Sequence, residues 1–229
     1  MIYHETEHGI AVLADCMDYM ATMADKSVDL CLTDPPYGIG ESAKRNNTRG
    51  KGYKNSKAFA HTTDYGDDNW DSVPLLSTQR DAIFRLSKNQ IIFGGNYFEL
   101  CPSPCWIVWD KDNGNTDFAD CELAWTSFKT AVRKFNYRWN GMLQENMKDK
   151  EKRYHLTQKP VALFSWCLNN YSKAGDTIFD PFAGSFTTAI ACIRTGRKYI
   201  CIEKEPRYFD IGVKRIETEL AQTDIFRED

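Results

Sequence analysis

Three short stretches carry residue types that could do chemistry. The first is Asp34-Pro35-Pro36-Tyr37, directly behind the apolar run Val28-Asp29-Leu30-Cys31-Leu32-Thr33. A run of that length, bounded by turn residues, reads as a buried strand. Proline has no N–H and cannot continue a central strand, so the chain leaves the sheet at Pro35 and Pro36. Asp34 and Tyr37 are then projected from a strand's carboxyl end, where open α/β sheets place their ligands. The two prolines stiffen the corner, which suits a site that holds a reacting atom at a fixed distance.

The second stretch is Asp180-Pro181-Phe182-Ala183-Gly184-Ser185-Phe186-Thr187-Thr188. A strand ends in an acid, a small-residue turn follows and a helix begins, which is where nucleotides sit in doubly wound folds. The next strand ends in Glu203, an acid placed to accept both hydroxyls of a ribose. A dinucleotide would need the G-x-G-x-x-G spacing, but Gly184 is the only glycine in this turn, and a G-x-x-x-x-G-K-S phosphate loop is absent as well. S-adenosylmethionine has no phosphate, so one glycine can suffice, and Asp180 would suit its α-ammonium. The third stretch is His155-Leu156-Thr157-Gln158-Lys159-Pro160. Alone, its histidine reads as an exposed loop residue before a helix.

The elements that must position these stretches follow from the apolar pattern. Ile10–Ala14 reads as a strand, and Met17, Met20 and Met23 as the inner face of a short helix. A helix is expected over 74–86, strands over 90–93 and 105–109, and two strands over 121–128 and 131–139. With only Lys129-Thr130 between them and no helix, those two are expected to pair antiparallel. A helix over 160–171, a strand over 177–179, a helix over 187–194 closed by Gly196, a strand over 199–202 and a helix over 206–220 complete the chain. Alternating strands and helices predict an α/β, doubly wound, mostly parallel sheet with helices on both faces and an antiparallel strand at one edge.

Between the first corner and the helix at 74 the character changes. Lys44, Arg45, Arg49, Lys51, Lys54 and Lys57 are interleaved with Asn, Ser, Thr and Gly, with no acid from 44 to 57. The 41–70 stretch reads as a long loop, and its position behind the acidic corner makes it a candidate phosphate clamp. Net charge of −3 gives no global polyanion signal, so any nucleic-acid surface must be local. The apolar fraction of 42% is enough for a core. Met1-Ile2-Tyr3-His4-Glu5 has no leader pattern, and no apolar run approaches the ~18 residues of a membrane span. Of the eight cysteines, Cys31, Cys167, Cys192 and Cys201 lie in apolar runs, which suits reduced thiols in a cytoplasmic protein. Cys101 and Cys105 have no second pair nearby, so no metal site is expected.

Together and in this order, the three stretches resemble the amino-methyltransferases that modify exocyclic nitrogens of DNA bases. Asp34 to Tyr37 is similar to their D-P-P-Y catalytic motif, His155 to Pro160 to their H-x-T-Q-K-P motif, and Asp180 to Thr188 to their D-P-F-x-G-S-G-T-T cofactor turn. The order matches the permuted β group. The resemblance implies one Rossmann-like, S-adenosylmethionine-dependent methyltransferase domain over 1–229. Its catalytic half would be 1–140, its short target-recognition segment 140–154 and its cofactor half 155–229. It implies that Asp34, Pro35, Pro36 and Tyr37 hold the target base. Asp15, Cys16, Asp34, Thr157, Gln158, Lys159, Asp180, Phe182, Ala183, Gly184, Ser185, Thr187, Thr188, Glu203 and Lys204 would hold the cofactor. DNA, with the target base flipped out, is the implied partner, in a bacterial or phage-type cytoplasmic setting; a homodimer is left open. Aspartate at the first motif position favours adenine N6, with cytosine N4 the alternative. Phe186 stands where the family has its last glycine. It would narrow the cofactor pocket or require a different backbone, leaving an impaired DNA-binding relative, or it would pack against the helix with the turn preserved.

Overall fold

A computed structural model describes residues 1–39, 73–114, 119–140, 143–154 and 157–225. The strands are β1 (Ile2–Thr6), β2 (Gly9–Leu13), β3 (Val28–Thr33), β4 (Ser87–Phe93), β5 (Trp106–Asp110), β6 (Cys121–Thr126), β7 (Arg133–Asn136), β8 (Trp139–Asn140), β9 (Leu143–Gln144), β10 (Thr177–Asp180) and β11 (Lys198–Glu203). The helices are α1 (Cys16–Met20), α2 (Ser77–Leu86), α3 (Val161–Tyr171), α4 (Thr187–Thr195) and α5 (Pro206–Ile225). Nine strands form one sheet in the order β1-β2-β11-β10-β3-β4-β6-β5-β7, and β8 and β9 form a small ribbon.

The central strands are short apolar runs covered on both faces. On one face, α3, α4 and α5 pack Phe164, Cys167, Ile190 and Ile216 against Leu30, Leu32, Ile91 and Phe93. On the other, α1 and α2 bring Met20, Ile83 and Leu86 to Cys31, Ile92 and Phe179. Helix starts and stops follow local chemistry. The Asp15 carboxylate accepts from the Met17 N–H at 2.8 Å and caps α1. Gly196 ends α4 in the left-handed region at φ 68°.

β2, β11, β10, β3 and β4 are mutually parallel. β1 runs antiparallel to β2 at one edge. One expectation is corrected. β6 and β7 do not pair; β5 lies between them, antiparallel to β6 and parallel to β7. β6 itself is interior, antiparallel to β4. The reason lies in composition. Ala124, Trp125 and Thr126 are buried and need a strand on each side, whereas three of the four residues of Arg133-Lys134-Phe135-Asn136 are exposed and suit an edge.

The connections leave β10 and β3 in opposite directions. The chain after β10 passes through α4 to β11, and the chain after β3 passes through α2, on the other face, to β4. The crevice between β10 and β3 is therefore the topological switch point of the sheet, the place where open α/β sheets bind ligands. No described helix is long and apolar enough to cross a membrane.

Candidate active site

The carboxyl ends of β2, β11, β10 and β3 open onto one cavity of about 330 Å³. Every residue expected to hold the cofactor, from Asp15 and Cys16 through Thr157–Lys159 and the 180–188 turn to Glu203 and Lys204, lines it. Asp34 and Pro36 line the same cavity. The fold thus brings residues from both ends of the chain to one mouth. His155 and Leu156 lie outside the described residues, as do Lys44, Arg45, Arg49, Lys51, Lys54 and Lys57.

The turn after β10 is fixed by its own acids. Asp180 accepts from Thr33 Oγ1 at 2.7 Å, from the Phe182 N–H at 3.1 Å and from Thr188 Oγ1 at 2.5 Å. Burial pushes its carboxyl up to about 6 against those hydrogen bonds. Glu203 accepts from the backbone N–H groups of Gly184 and Glu205, both at 2.8 Å. Burial raises Glu203 further, to about 7. Gly184 sits at φ 52°, a conformation that glycine adopts without strain.

Phe186 occupies the same left-handed region at φ 62° and ψ 38°. Its side chain is fully buried and does not line the cavity. It turns toward α5, where the Phe209 ring meets it edge-on at 5.8 Å and Gly212 leaves it room; a Cβ on Gly212 would fall 2.3 Å from the ring. Of the arrangements open to Phe186, the structure has the packed one, with the ring turned away from the cavity and its backbone in the left-handed region that glycine favours.

At the other wall, the Asp34 carboxylate is held at both oxygens. Tyr37 donates its hydroxyl to Oδ1 at 2.7 Å, and the Lys159 ammonium donates to Oδ2 at 2.5 Å. Burial raises Asp34, Lys159 opposes it, and Glu122 adds to the rise; the net direction is upward. Lys159 is itself raised: burial favours its neutral form, but Asp34 and Glu122 outweigh burial. The Pro35 carbonyl accepts no backbone hydrogen bond among the described residues. Tyr37 is stacked on Tyr97, with ring centroids 5.1 Å apart and planes 18° apart, and Tyr97 is half exposed. Gly94 approaches Tyr37 so closely that a Cβ there would lie 2.2 Å from its ring.

Four charged residues support the site without belonging to any of the three motifs. Glu122 pairs with Lys159 at 3.1 Å and with Lys111. Arg215 of α5 donates to the Ser185 carbonyl at 2.5 Å and pairs with Glu151 at 3.3 Å. Glu151 in turn accepts from Gln158 and from the Val161 N–H, so the cofactor turn and the 157–160 segment are tied from beneath. A single acid within a strand, or one arginine on an amphipathic helix, has no spacing that marks it in a sequence. Pro74, Gln79 and Tyr208 also line the cavity and carried no motif signal.

The cavity has the size of a small-molecule site. Two buried acids, Asp180 and Glu203, face it, and the turn between them presents one glycine. That donor and acceptor set fits a nucleoside with hydroxyls and a positive charge, such as S-adenosylmethionine, better than a pyrophosphate. Among the described residues no cluster of three or more His, Cys, Asp or Glu could hold a metal ion.

Comparison with known proteins agrees with this geometry. Residues 106–214 match the N6/N4 methyltransferase family model, described as DNA methylase. The chain is 28% identical to the type II methyltransferase M.HinfI of Haemophilus influenzae over 88% of its own length, and spans 66% of that protein. It is 25% identical to M2.DpnII of Streptococcus pneumoniae, over 95% of this chain and 92% of that one. The fold is similar to that of M1.HpyAVI in its complex with SAM, with a TM-score of 0.54 and 23% identity over 90% of this chain and 98% of that one. It is similar also to the cytosine-N4-specific PvuII DNA methyltransferase, with a TM-score of 0.55 and 14% identity over 93% and 92%. Residues from the three motifs thus converge on one cavity in a chain whose residues 106–214 resemble the N6/N4 DNA methylases.

Proposed function

We propose that the protein is an S-adenosylmethionine-dependent DNA methyltransferase that modifies the exocyclic N6 of adenine. The observation that carries this reading is the Asp34 carboxylate, fixed at the rim of a cavity whose opposite wall is the 180–188 turn and Glu203. The cofactor supplies an electrophilic methyl group on a cationic sulfonium. Glu203 would accept from ribose hydroxyls, Asp180 would face the positively charged methionine end, and Gln158 and Lys159 would close over it.

An exocyclic amino group on adenine is a poor nucleophile because its lone pair is delocalised into the ring. Asp34 would accept one amino hydrogen and the Pro35 carbonyl the other. Two acceptors set out of the conjugated geometry localise the lone pair toward the methyl donor. The stiffness of Pro35 and Pro36 keeps both acceptors aimed, so catalysis rests on positioning and electrostatics. A base inside a duplex cannot reach this rim, so the target nucleotide would be flipped out. One face of Tyr37 is already covered by Tyr97, so the flipped base would rest on the half-exposed surface that these two rings share. The basic residues between 44 and 57 would neutralise DNA phosphates. Target readout would fall to Arg45, Asn46, Asn47, Arg49 and Asn146, the types that reach base edges; Gln144, of the same type, is buried with both ends of its amide bonded to the Glu151 backbone.

Aspartate at position 34 supports adenine. Modified-base sequencing of DNA from cells expressing the protein tests this. N6-methyladenine at a defined sequence is expected with the wild type and none with Asp34→Ala, which should still bind the cofactor in calorimetry. N4-methylcytosine instead would replace the adenine reading, and a wild type that does not bind the cofactor would end the enzymatic one.

A further inference from the structure

Asp34, Lys159, Glu122 and Lys111 form an unbroken row of alternating charge. Lys159 is 2.5 Å from Asp34 and 3.1 Å from Glu122, and Glu122 also pairs with Lys111. The row comes from distant parts of the chain: Asp34 follows β3, Glu122 is on β6, Lys111 follows β5 and Lys159 precedes α3. The side chain of Lys159 is 6% exposed, that of Asp34 18% and that of Glu122 23%.

The geometry points to Glu122 as a positioning residue for Asp34, one that fixes the Lys159 ammonium so that it holds the carboxylate at a single orientation. Three observations carry this. First, Lys159 and Asp34 already neutralise each other, so charge balance at the corner requires neither Glu122 nor Lys111. Second, an ammonium on a four-carbon stem has many rotamers, and a second anion on a different strand, in ion-pair contact at 3.1 Å without hydrogen-bond geometry, restricts that freedom by charge. Third, Glu122 does not line the cavity, so direct contact with the cofactor does not account for it. Lys111 holds its far oxygen and itself rests over the Trp109 ring at 4.9 Å, which closes the row against a rigid strand. Burial works against ionisation of Glu122, but Lys159 and Lys111 outweigh it and hold the carboxyl down to about 2, so it is an anion at every working pH. The inference rests on the proposed reading in one respect, that Asp34 is the acceptor for the target amino group.

Glu122→Gln keeps the size and removes the charge. Methyl transfer under single-turnover conditions should fall by about tenfold to a hundredfold, the scale of a misplaced catalytic group. The cofactor dissociation constant should stay within about twofold by the same separation of orientation from binding. The pH profile gives a signature that mere stabilisation would not. Asp34 is faced by Lys159 and Tyr37, which lower it, by Glu122, which raises it, and across the crevice by Asp180. Loss of the Glu122 charge alone would lower Asp34, but release of Lys159, whose pull on Asp34 is the larger, raises it, so the positioning role moves the acid limb of the rate to higher pH and a purely electrostatic one moves it to lower pH. Glu122→Asp, which retains the charge, should restore much of the rate. A Glu122→Gln protein with wild-type rate and pH profile overturns the proposal, whatever its melting temperature. The ¹H–¹⁵N signal of the Lys159 ammonium separates this from failure of the function itself. It should be slowly exchanging in the wild type and lost to rapid exchange in Glu122→Gln. Its persistence overturns the positioning role even if the wild type methylates no DNA.

Discussion

Replacing Phe186 by glycine should lower stability and leave cofactor affinity unchanged. At φ 62° the residue sits where an L side chain costs ~1–2 kcal/mol, and glycine would relieve that. Against this, the ring is fully buried between Phe209 and Gly212. Deleting a buried phenylalanine costs ~3–5 kcal/mol, and the freedom of glycine in the unfolded chain adds ~0.5–1 kcal/mol. The packing loss wins by about 3 kcal/mol, or roughly 6 °C in melting temperature for a chain of this length. A double-mutant cycle with Gly212 sharpens the test. In the wild type, Gly212→Ala places a Cβ 2.3 Å from a ring that cannot move, and overpacking of ~1–3 kcal/mol offsets the helix preference for alanine. In Phe186→Gly that Cβ enters vacated space, and the same change should stabilise by ~1 kcal/mol. A change of sign between backgrounds is direct evidence that the two residues touch. Thermal melts of the four proteins and calorimetric titration with S-adenosylmethionine measure both parts. A Phe186→Gly protein more stable than wild type, or one whose cofactor affinity changes more than about tenfold, would refute the reasoning, since the first requires backbone strain to outweigh the packing of the ring and the second requires the ring to shape the pocket.

The remaining predictions rest on charge. Glu203 is raised to about 7, and accepting from two ribose hydroxyls needs its ionised form, so cofactor affinity should be about tenfold weaker at pH 6 than at pH 8, with Glu203→Gln showing no such dependence. Because Asp180 and Glu203 are raised to about 6 and about 7, the folded protein holds their protons more tightly than the unfolded chain does. Their contribution to stability is therefore full below the unfolded carboxyl range and lost as pH rises through 6 and 7; melting of the cofactor-free protein should show this decline, and Asp180→Asn with Glu203→Gln should flatten it. Removal of residues 44–57 takes out Lys44, Arg45, Arg49, Lys51, Lys54 and Lys57, and the salt dependence of DNA binding should become shallower by ~0.9 for each phosphate that is no longer neutralised. An unchanged slope would show that these cations do not meet the backbone.

The parts of the site legible from sequence are those that short-range patterns encode. Leu30, Cys31 and Leu32 form an apolar run, two prolines end it, and the strand and its corner follow. Gly196 closes α4 for an equally local reason. What escaped depends on distant partners. Ile2-Tyr3-His4-Glu5-Thr6 is largely exposed and becomes a strand only because β2 offers its edge. The order β6-β5-β7 is a choice among neighbours that alternation within each strand cannot make. The direction of the Phe186 ring was open because Gly212, which makes room for it, lies on α5, the last helix. Glu122 and Arg215 are single charges whose meaning arises only where Lys159 and Ser185 meet them.

The arrangement also explains why the Asp34 corner can precede the 180–188 turn in the chain. β3 and β10 are adjacent and parallel, with Leu30 opposite Ile178 and Cys31 opposite Phe179. Beyond the paired residues, Thr33 donates to Asp180 at 2.7 Å across 147 positions of sequence. That bond joins the base of the Asp34 corner to the first acid of the 180–188 turn. It depends on which strands are neighbours and not on which is made first. The separation of the Asp34 corner from the 180–188 turn is therefore set by one interstrand spacing, about 5 Å, at the switch point. Any order of the two segments that keeps β3 beside β10 preserves that distance, and an order that placed a strand between them would roughly double it and pull the Asp34 corner away from the 180–188 turn.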